Sequence, residues 1–381
     1  MISLNFINYI NLILIILIAL SIYVTINLLY LKFISKKPVI LDGPMVSVLI
    51  PARDEENNLK ECIESLLNQS YLNYEIIILD DNSSDKTFHI AKHYSNNYNN
   101  LRVLKGKHKK TGWLGKSYAM KQLAQHAKGE LIFFTDADTL HKNDSIAWAA
   151  TNLIKHNVDA LSGFTYCKMK SFGEQLVLPI VFIPIKMFFP IWLVKNSKSS
   201  YFSLAIGQYF MFKKETYDAI GGHEFVKDKI TEDVFMARYV KDMGYKIIFM
   251  DGSHHIAHRS YEGFQSSIKC ISKNVVDAVG NKYFFLLPVL AFYFFAFVLP
   301  SFFWINSFLY LGIHFYQLTI ILLIGLYLTF IILHNHGFKF FIKLIFPVIF
   351  LITLYTVLKS ITDKVLKKNI VWKGRIANGN H

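Results

Sequence analysis

The chain has 381 residues, of which 53% are hydrophobic, and its 41 Lys and Arg against 27 Asp and Glu give a formal net charge of +14. An apolar share of that size, with 33 Phe, exceeds what an ordinary soluble domain carries, so a wholly soluble chain is excluded and part of it belongs in lipid. The basic residues gather around the apolar runs instead of forming one face, which fits an anionic membrane surface and phosphate-bearing ligands, and there is no nucleic-acid recognition motif. Cys62, Cys167 and Cys270 form no Cys-x-x-Cys pair and no disulfide framework, as expected in a reducing cytosolic compartment.

No side chain in residues 1–31 is charged, and Ile10 to Leu31 is long enough to cross a bilayer. Residues 1–37 read as an N-terminal transmembrane anchor. They lack the basic start and small-residue cleavage site of a signal peptide. Lys32, Lys36 and Lys37 follow at once, and the positive-inside tendency then puts the next domain in the cytoplasm, where nucleotide-activated donors are made.

From Val46 the pattern is that of an α/β domain. Val46 to Ile50 is a strand, Pro51-Ala-Arg-Asp-Glu-Glu56 a turn, Asn58 to Gln69 a helix with Leu59, Ile63, Leu66 and Leu67 on one side, and Tyr74 to Leu79 a second buried strand. Continuous apolar strands around a helix argue a parallel sheet, in which ligands bind beyond the carboxyl ends of the strands. The acidic turn Asp80-Asp81-Asn-Ser-Ser-Asp85 falls on that edge. Next, Lys105, Lys107, Lys109 and Lys110 lead into Thr111-Gly-Trp-Leu-Gly-Lys116-Ser, a glycine-bracketed turn whose backbone N–H groups and lysine suit phosphate. A Walker A loop is excluded, because the glycine it needs before Gly115 is missing, and a solvated basic loop remains the alternative.

Leu131-Ile-Phe-Phe-Thr-Asp136-Ala-Asp138 runs from a buried strand into two carboxylates at i, i+2. On an extended backbone these point the same way and suit Mg²⁺ or Mn²⁺, leaving coordination positions open for a diphosphate. Taken alone, the pair also fits a loop start. Ala205 to Phe212 reads as a further apolar strand, followed by Gly221-Gly222-His223 and Ile230-Thr-Glu232-Asp233. Thr231 there fits an N-cap with acids on the helix dipole, and Asp233 equally fits a general base at the mouth of a cleft.

In this order Pro51-Ala-Arg-Asp-Glu, Asp80 to Thr87, Gly112 to Lys116, Thr135 to Asp138, Gly221 to His223 and Thr231-Glu-Asp233 resemble the family 2 glycosyltransferases over residues 45–280. Nearest is the membrane branch acting on carotenoid acids, hopanoids and ceramide. Arg259-Ser-Tyr-Glu-Gly-Phe264 and Lys273-Asn274 are most similar to the carotenoid glycosyltransferases, and Val371-Trp-Lys-Gly-Arg375 is also similar to the tail of that branch. The resemblance implies a nucleotide-diphospho-sugar transferase (GT-A-like) α/β domain with UDP-glucose as the default donor. Carried over by position, Asp81 contacts the uracil, Asp136 binds metal and ribose, Asp138 binds metal, Lys116 and Arg259 contact the donor, and Asp233 is the catalytic base. No second carboxylate is placed as a nucleophile, which implies inversion. The Gln/Arg-x-x-Arg-Trp motif of processive relatives is absent, Lys269 to Lys273 standing in its place, so transfer of a single sugar to a membrane lipid is expected. Synthesis of another envelope glycolipid or polysaccharide, and a non-catalytic sugar-nucleotide binding protein, are the alternatives. A cation-coupled transporter is disfavoured by the long soluble stretch.

Glu174 to Val194 is apolar but holds Lys186, Pro179, Pro184 and Pro190, which argues an interfacial or re-entrant segment and against a regular span, with a hydrophobic insertion buried in the domain as the other option. Tyr283 to Ile313, Leu318 to Leu333 and Phe341 to Leu358 make a C-terminal membrane region over 283–358. Full crossing by all three would put the basic tail, 359–381, outside. Pro288 and Pro300 therefore suggest that the first of them is a hairpin and that the tail is cytoplasmic.

Overall fold

The computed structural model describes residues 2–35, 39–259, 262–280, 282–309, 314–366, 371–372 and 375–376. Lys36, Lys37, the Ser260-Tyr261 pair, the end of the Tyr283 to Ile313 run, Lys367, Lys368 and Lys373 lie outside them. The chain forms two compact units, one of residues 31–168, 191–260 and 369–381, the other of residues 1–30, 169–190 and 261–368.

The first unit is built on a seven-stranded sheet. Its strands are β1 (Val46–Ala52), β2 (Tyr74–Asp80), β3 (Leu101–Lys105), β4 (Leu131–Phe134), β6 (Ala160–Phe164), β8 (Phe210–Lys213) and β9 (Ile247–Asp251), in the order β3-β2-β1-β4-β8-β6-β9. β5 (Thr139–His141), β7 (Tyr166–Cys167) and β10 (Ile256–His258) form a second, three-stranded sheet, and β11 (Val371–Trp372) pairs with β12 (Arg375–Ile376). β3, β2, β1 and β4 are parallel, as their continuous apolar runs require, and β8 inserts antiparallel to both β4 and β6. Helices at Leu59–Leu67, Thr87–Asn97, Gly115–His126 and Ser145–Lys155 follow in alternation. β8 is shorter than its apolar pattern predicts. Residues 205–209 leave the ladder because their polar groups bond elsewhere: Ile206 N donates to Ser162 Oγ at 2.8 Å and Gly207 N to Asp233 at 2.8 Å.

The last turn of the first helix, Ile2–Ile34, is tied into this unit. Its end carbonyls accept from side chains, Ser35 O from Trp148 Nε1 at 3.3 Å and Ile34 O from His156 Nε2 at 3.1 Å, while Ser35 Oγ accepts from Asp251 N at 3.1 Å. These contacts occupy carbonyls that a helix terminus otherwise leaves unsatisfied.

The second unit is helical. Within the whole chain, four helices are long and apolar enough to cross a membrane, namely Asn5–Ile34, Tyr283–Phe308, Phe315–Ile332 and Phe346–Val365, among the described residues. No hairpin forms at Pro288 or Pro300. The chain from Leu286 to Leu309 is one helical run with a π turn at Phe294–Val298. Pro300 has no N–H to return to the carbonyl four residues back, and a π turn just before it absorbs that misfit. Phe6 lies edge-on to Phe303 with ring centroids 5.0 Å apart, and Thr25 Oγ1 lies 2.8 Å from Tyr327 Oη.

The last helix behaves differently. Phe346 packs where a Cβ on Gly325 would meet its ring at 2.8 Å, and Phe350 stacks on Phe297 of the π turn at 4.3 Å. Fourteen residues after Phe346, Ser360 Oγ donates to Ser272 O of the amphipathic helix Gly263–Ala278. The helix thus starts level with the middle of its neighbours and runs back to the segment from which the membrane region began.

The stretch 174–194 is broken next to Pro179 and Pro190, into helices Phe172–Val177, Pro179–Phe188 and Trp192–Asn196, while Pro184 lies within the second of them. Glu174 closes a capping box with Ser171 and also accepts from Gly263 N at 2.9 Å. Lys186 is buried in this unit, donating to Ile332 O at 2.9 Å and pairing with His336 Nε2 at 2.6 Å.

In the sheet, buried Glu75 accepts from Ser47 Oγ (2.6 Å), Lys128 N (2.8 Å) and Arg102 (2.7 Å). Burial alone would raise its carboxyl; the three donors outweigh it and hold it below the usual value of 4.5. A depressed folded-state value stabilises the fold above the unfolded value and is lost as pH falls through the folded one. Glu75→Gln is therefore expected to cost about 1–3 kcal/mol at pH 7. In thermal unfolding of the detergent-solubilised chain, the gap between wild type and variant should close as pH drops below about 4.5.

Candidate active site

The site lies at the carboxyl ends of β1, β2 and β4. Two turns there are stitched to each other. Arg53 donates to Asp81 O at 2.8 Å, Ser84 N to Asp54 Oδ1 at 2.7 Å, Glu56 N to Asp85 Oδ2 at 3.0 Å and Lys86 N to Glu56 Oε2 at 3.1 Å. Asp54 (φ 51°) and Asn82 (φ 55°) take the left-handed conformation that lets both turns bend this sharply. Asp81 is thereby buried beneath the β2 end, with its Oδ2 4.0 Å from Arg53 Nη1.

The Asp136 and Asp138 pair is not on a strand. β4 ends at Phe134, and residues 135–138 form a turn in which Thr139 Oγ1 donates to Asp136 O at 2.7 Å. The extended-backbone argument for the two carboxylates therefore fails; a turn side chain, not strand periodicity, orients them. Thr135 anchors the turn by donating to Gln208 O at 2.9 Å, and Arg259 N donates to Asp138 O at 3.2 Å. Asp138 Oδ1 is buried with no hydrogen-bond partner. Burial first, then the charges of Asp136 and Glu55, push the Asp138 carboxyl well above the carboxylate range. A buried carboxylate oxygen without a donor, beside other carboxylates, is a fit for a hard divalent cation.

Lys116, in the first turn of the helix Gly115–His126, reaches into this group. Its ammonium lies 3.0 Å from Asp136 Oδ1 and 3.1 Å from Glu232 Oε1. Burial alone would lower it, but Asp136, Glu232 and Asp233 outweigh that and hold it well above its ordinary value. Glu232 and Asp233 open the helix Glu232–Asp242, where Thr231 makes no side-chain cap hydrogen bond. Asp233 does that work itself: Oδ1 accepts from Val234 N and Oδ2 from Gly207 N, both at 2.8 Å. Burial raises both the Glu232 and Asp233 carboxyls against the pull of Lys116. A Cβ on Gly207 would stand 3.4 Å from Lys116 Nζ and 3.5 Å from both Asp233 Oδ2 and Glu232 Oε1, so this glycine forms the open floor between the three charges.

The structure thus brings Lys116, Asp136, Asp138 and Asp233 into one charged cluster, with Arg259 joined to it through its backbone and Asp81 held at the neighbouring strand end. Sequence reasoning missed Glu232 as a partner of Lys116, Gly207, and the buried pair Tyr217 and His223. A glycine inside an apolar strand pattern was the available signal for Gly207. Tyr217 Oη lies 2.6 Å from His223 Nδ1 and accepts from His223 N at 3.2 Å. His223, Gly207, Glu232, Asp233, Met120 and Met236 line a small cavity.

The glycosyl transferase family 2 pattern matches residues 47–221. The chain is 28% identical over 280 residues to 4,4'-diaponeurosporenoate glycosyltransferase of Staphylococcus haemolyticus, covering 68% of each protein. It is 40% identical over 105 residues to beta-monoglucosyldiacylglycerol synthase of Trichormus variabilis, which is 27% of this chain and 22% of that protein. In fold it is similar to mannosyltransferase PcManGT from Pyrobaculum calidifontis, solved with GDP-Man and Mn²⁺, at a TM-score of 0.51 and 18% identity over 92% of this chain and 99% of that one. With the strand-end cluster and a GT-A-like mixed sheet, these matches identify the chain as a glycosyltransferase with a family 2 domain.

Proposed function

We propose that this enzyme moves a single sugar, glucose from UDP-glucose as the first donor to test, onto a membrane lipid, with inversion at the anomeric carbon. The observation that carries the reading is Asp233, a half-buried carboxylate fixed through both oxygens to backbone N–H groups, beside Glu232, which shares Lys116 with Asp136. Fixed in this way, and raised by burial, it suits removal of a proton from an acceptor hydroxyl as that oxygen attacks. Lys116 and Arg259 offset charge on the departing diphosphate, and Asp81 holds the nucleoside end of the donor. No second carboxylate in the cluster has a free role as a nucleophile, which supports a single displacement: an α-linked donor gives a β-linked product. The lipid acceptor is supported by the relatives named for 4,4'-diaponeurosporenoate and diacylglycerol products, a carotenoid acid being the first acceptor to try. Incubation of the membrane fraction with labelled UDP-glucose, followed by lipid extraction, tests it directly; label confined to water-soluble products would refute the lipid acceptor.

Asp136 and Asp138 would hold Mg²⁺ or Mn²⁺, which supplies Lewis-acid neutralisation of the diphosphate. Asp138→Asn is expected to weaken donor binding and divalent-cation dependence together, measured as transfer against added Mg²⁺ or Mn²⁺ after EDTA treatment. Full activity of both enzymes in EDTA would remove the metal from the scheme.

Asp233→Asn should lower turnover on a hydroxyl acceptor on the order of 10² to 10⁴, the usual general-base contribution, and much less on a carboxylic acid acceptor, which arrives ionised near pH 7. Affinity for UDP should stay close to wild type. An α-linked product from an α-linked donor, or full activity of this variant on a hydroxyl acceptor, contradicts the assignment.

The catalytic domain and the basic tail are read as sharing the cytoplasmic face. The reading is supported by the last helix, which turns back from Phe297 to Ser272 and so leaves three crossings, Asn5–Ile34, Tyr283–Phe308 and Phe315–Ile332. A reporter fused after His381 should be active only in the cytoplasm, and activity confined to the outer face would restore a fourth crossing.

A further inference from the structure

His223 carries a hydrogen-bonding arrangement that the proposed chemistry leaves unused. Tyr217 Oη accepts from the His223 backbone N–H at 3.2 Å, and its own buried O–H needs an acceptor, for which His223 Nδ1 stands 2.6 Å away. Nδ1 is therefore the acceptor nitrogen, and the proton of the neutral ring sits on Nε2. Burial, with Lys116 adding to it, keeps the ring neutral by lowering it to about 3. The tyrosine cannot swing away: a Cβ on Gly222, at φ 56°, would meet its ring at 2.5 Å, and Phe134 packs on both rings.

His223 is only 4% exposed, and among the described residues no hydrogen-bond partner of its Nε2 is found. The ring lines the cavity beside Gly207 and Asp233. An N–H that opens to a cavity is available to an acceptor placed there. The cavity has room for about one water-sized group, too little for a sugar ring. Its remaining walls include the apolar side chains of Met120, Phe134 and Met236.

We infer that His223 is a specificity-determining residue: its Nε2–H donates to the terminal hydroxyl of a hydroxymethyl arm on the transferred sugar, the methylene resting against Met120, Phe134 and Met236. Tyr217 is the positioning residue that fixes the tautomer. The inference rests on the glycosyl-transfer reading of this site, and it selects a hexose over the pentose that lacks the arm.

The test compares UDP-glucose with UDP-xylose in the full-length, membrane-embedded enzyme, with UDP affinity as the control for an intact nucleotide site. Wild type should favour UDP-glucose at least tenfold in kcat/KM, because a site built to bond a hydroxyl rejects the analogue without it. His223→Phe should bring that ratio towards one, chiefly by losing activity on UDP-glucose, and Tyr217→Phe should move it part of the way. His223→Gln, which restores an N–H at similar reach, should recover discrimination, a result that a purely structural role would not give. If wild type transfers from UDP-glucose and either phenylalanine variant keeps the wild-type ratio, the assignment of His223 is overturned while the transferase reading stands. If wild type transfers neither sugar, the transferase reading falls and this inference with it.

Discussion

One cation among four carboxylates governs the active region. Lys116 touches Asp136 on the β4 turn and Glu232 on a helix far along the chain, and its charge also acts on Asp138 and Asp233. Carboxylates packed this closely in a largely desolvated site repel one another and would otherwise take up protons or draw apart. The ammonium lets the turn after β4 and the start of the helix Glu232–Asp242 approach across Gly207, whose missing side chain leaves the gap open. Because the group remains short of positive charge even with Lys116 in place, Asp138 keeps an unsatisfied oxygen. That shortage of positive charge is the physical ground on which Asp136 and Asp138 are proposed to hold a divalent cation.

Much of this was legible in the sequence, for reasons that differ from residue to residue. Apolar runs fixed β1, β2 and β4 within two residues, because a strand buried on both faces has little choice of composition. Acidic turns after those strands fell on one edge because a parallel sheet forces all its carboxyl ends to one side. Residues 205–209 were misread as strand, since periodicity counts side chains and cannot register backbone groups captured by Ser162 and Asp233. The pairings of Glu232 with Lys116 and of Tyr217 with His223 were silent for a related reason: they are contacts between side chains, and no local pattern encodes the meeting.

The membrane-rich part taught the same lesson in another form. Hydropathy correctly found the apolar runs but weighed Pro288 and Pro300 as turns, whereas a π turn accommodates the second within a continuous helix. The run proposed not to cross is the last one, the least apolar of the four candidate spans. Its path is set by Phe350 against Phe297 and by Ser360 against Ser272, contacts between helices that composition does not record.

The capped end of the first helix bears on how a soluble form of this enzyme is to be cut. Leu31 and Ile34 are buried, and the carbonyls of Ile34 and Ser35 take the hydrogen bonds of His156 and Trp148. Trimming to the start of β1, the obvious boundary by secondary structure, strips a buried indole N–H and an imidazole of their acceptors and exposes the apolar surface that Leu31 and Ile34 cover. A truncated enzyme that begins before Leu31 keeps this last helical turn as part of the globular core, and for this chain the useful cut runs through the anchor instead of after it.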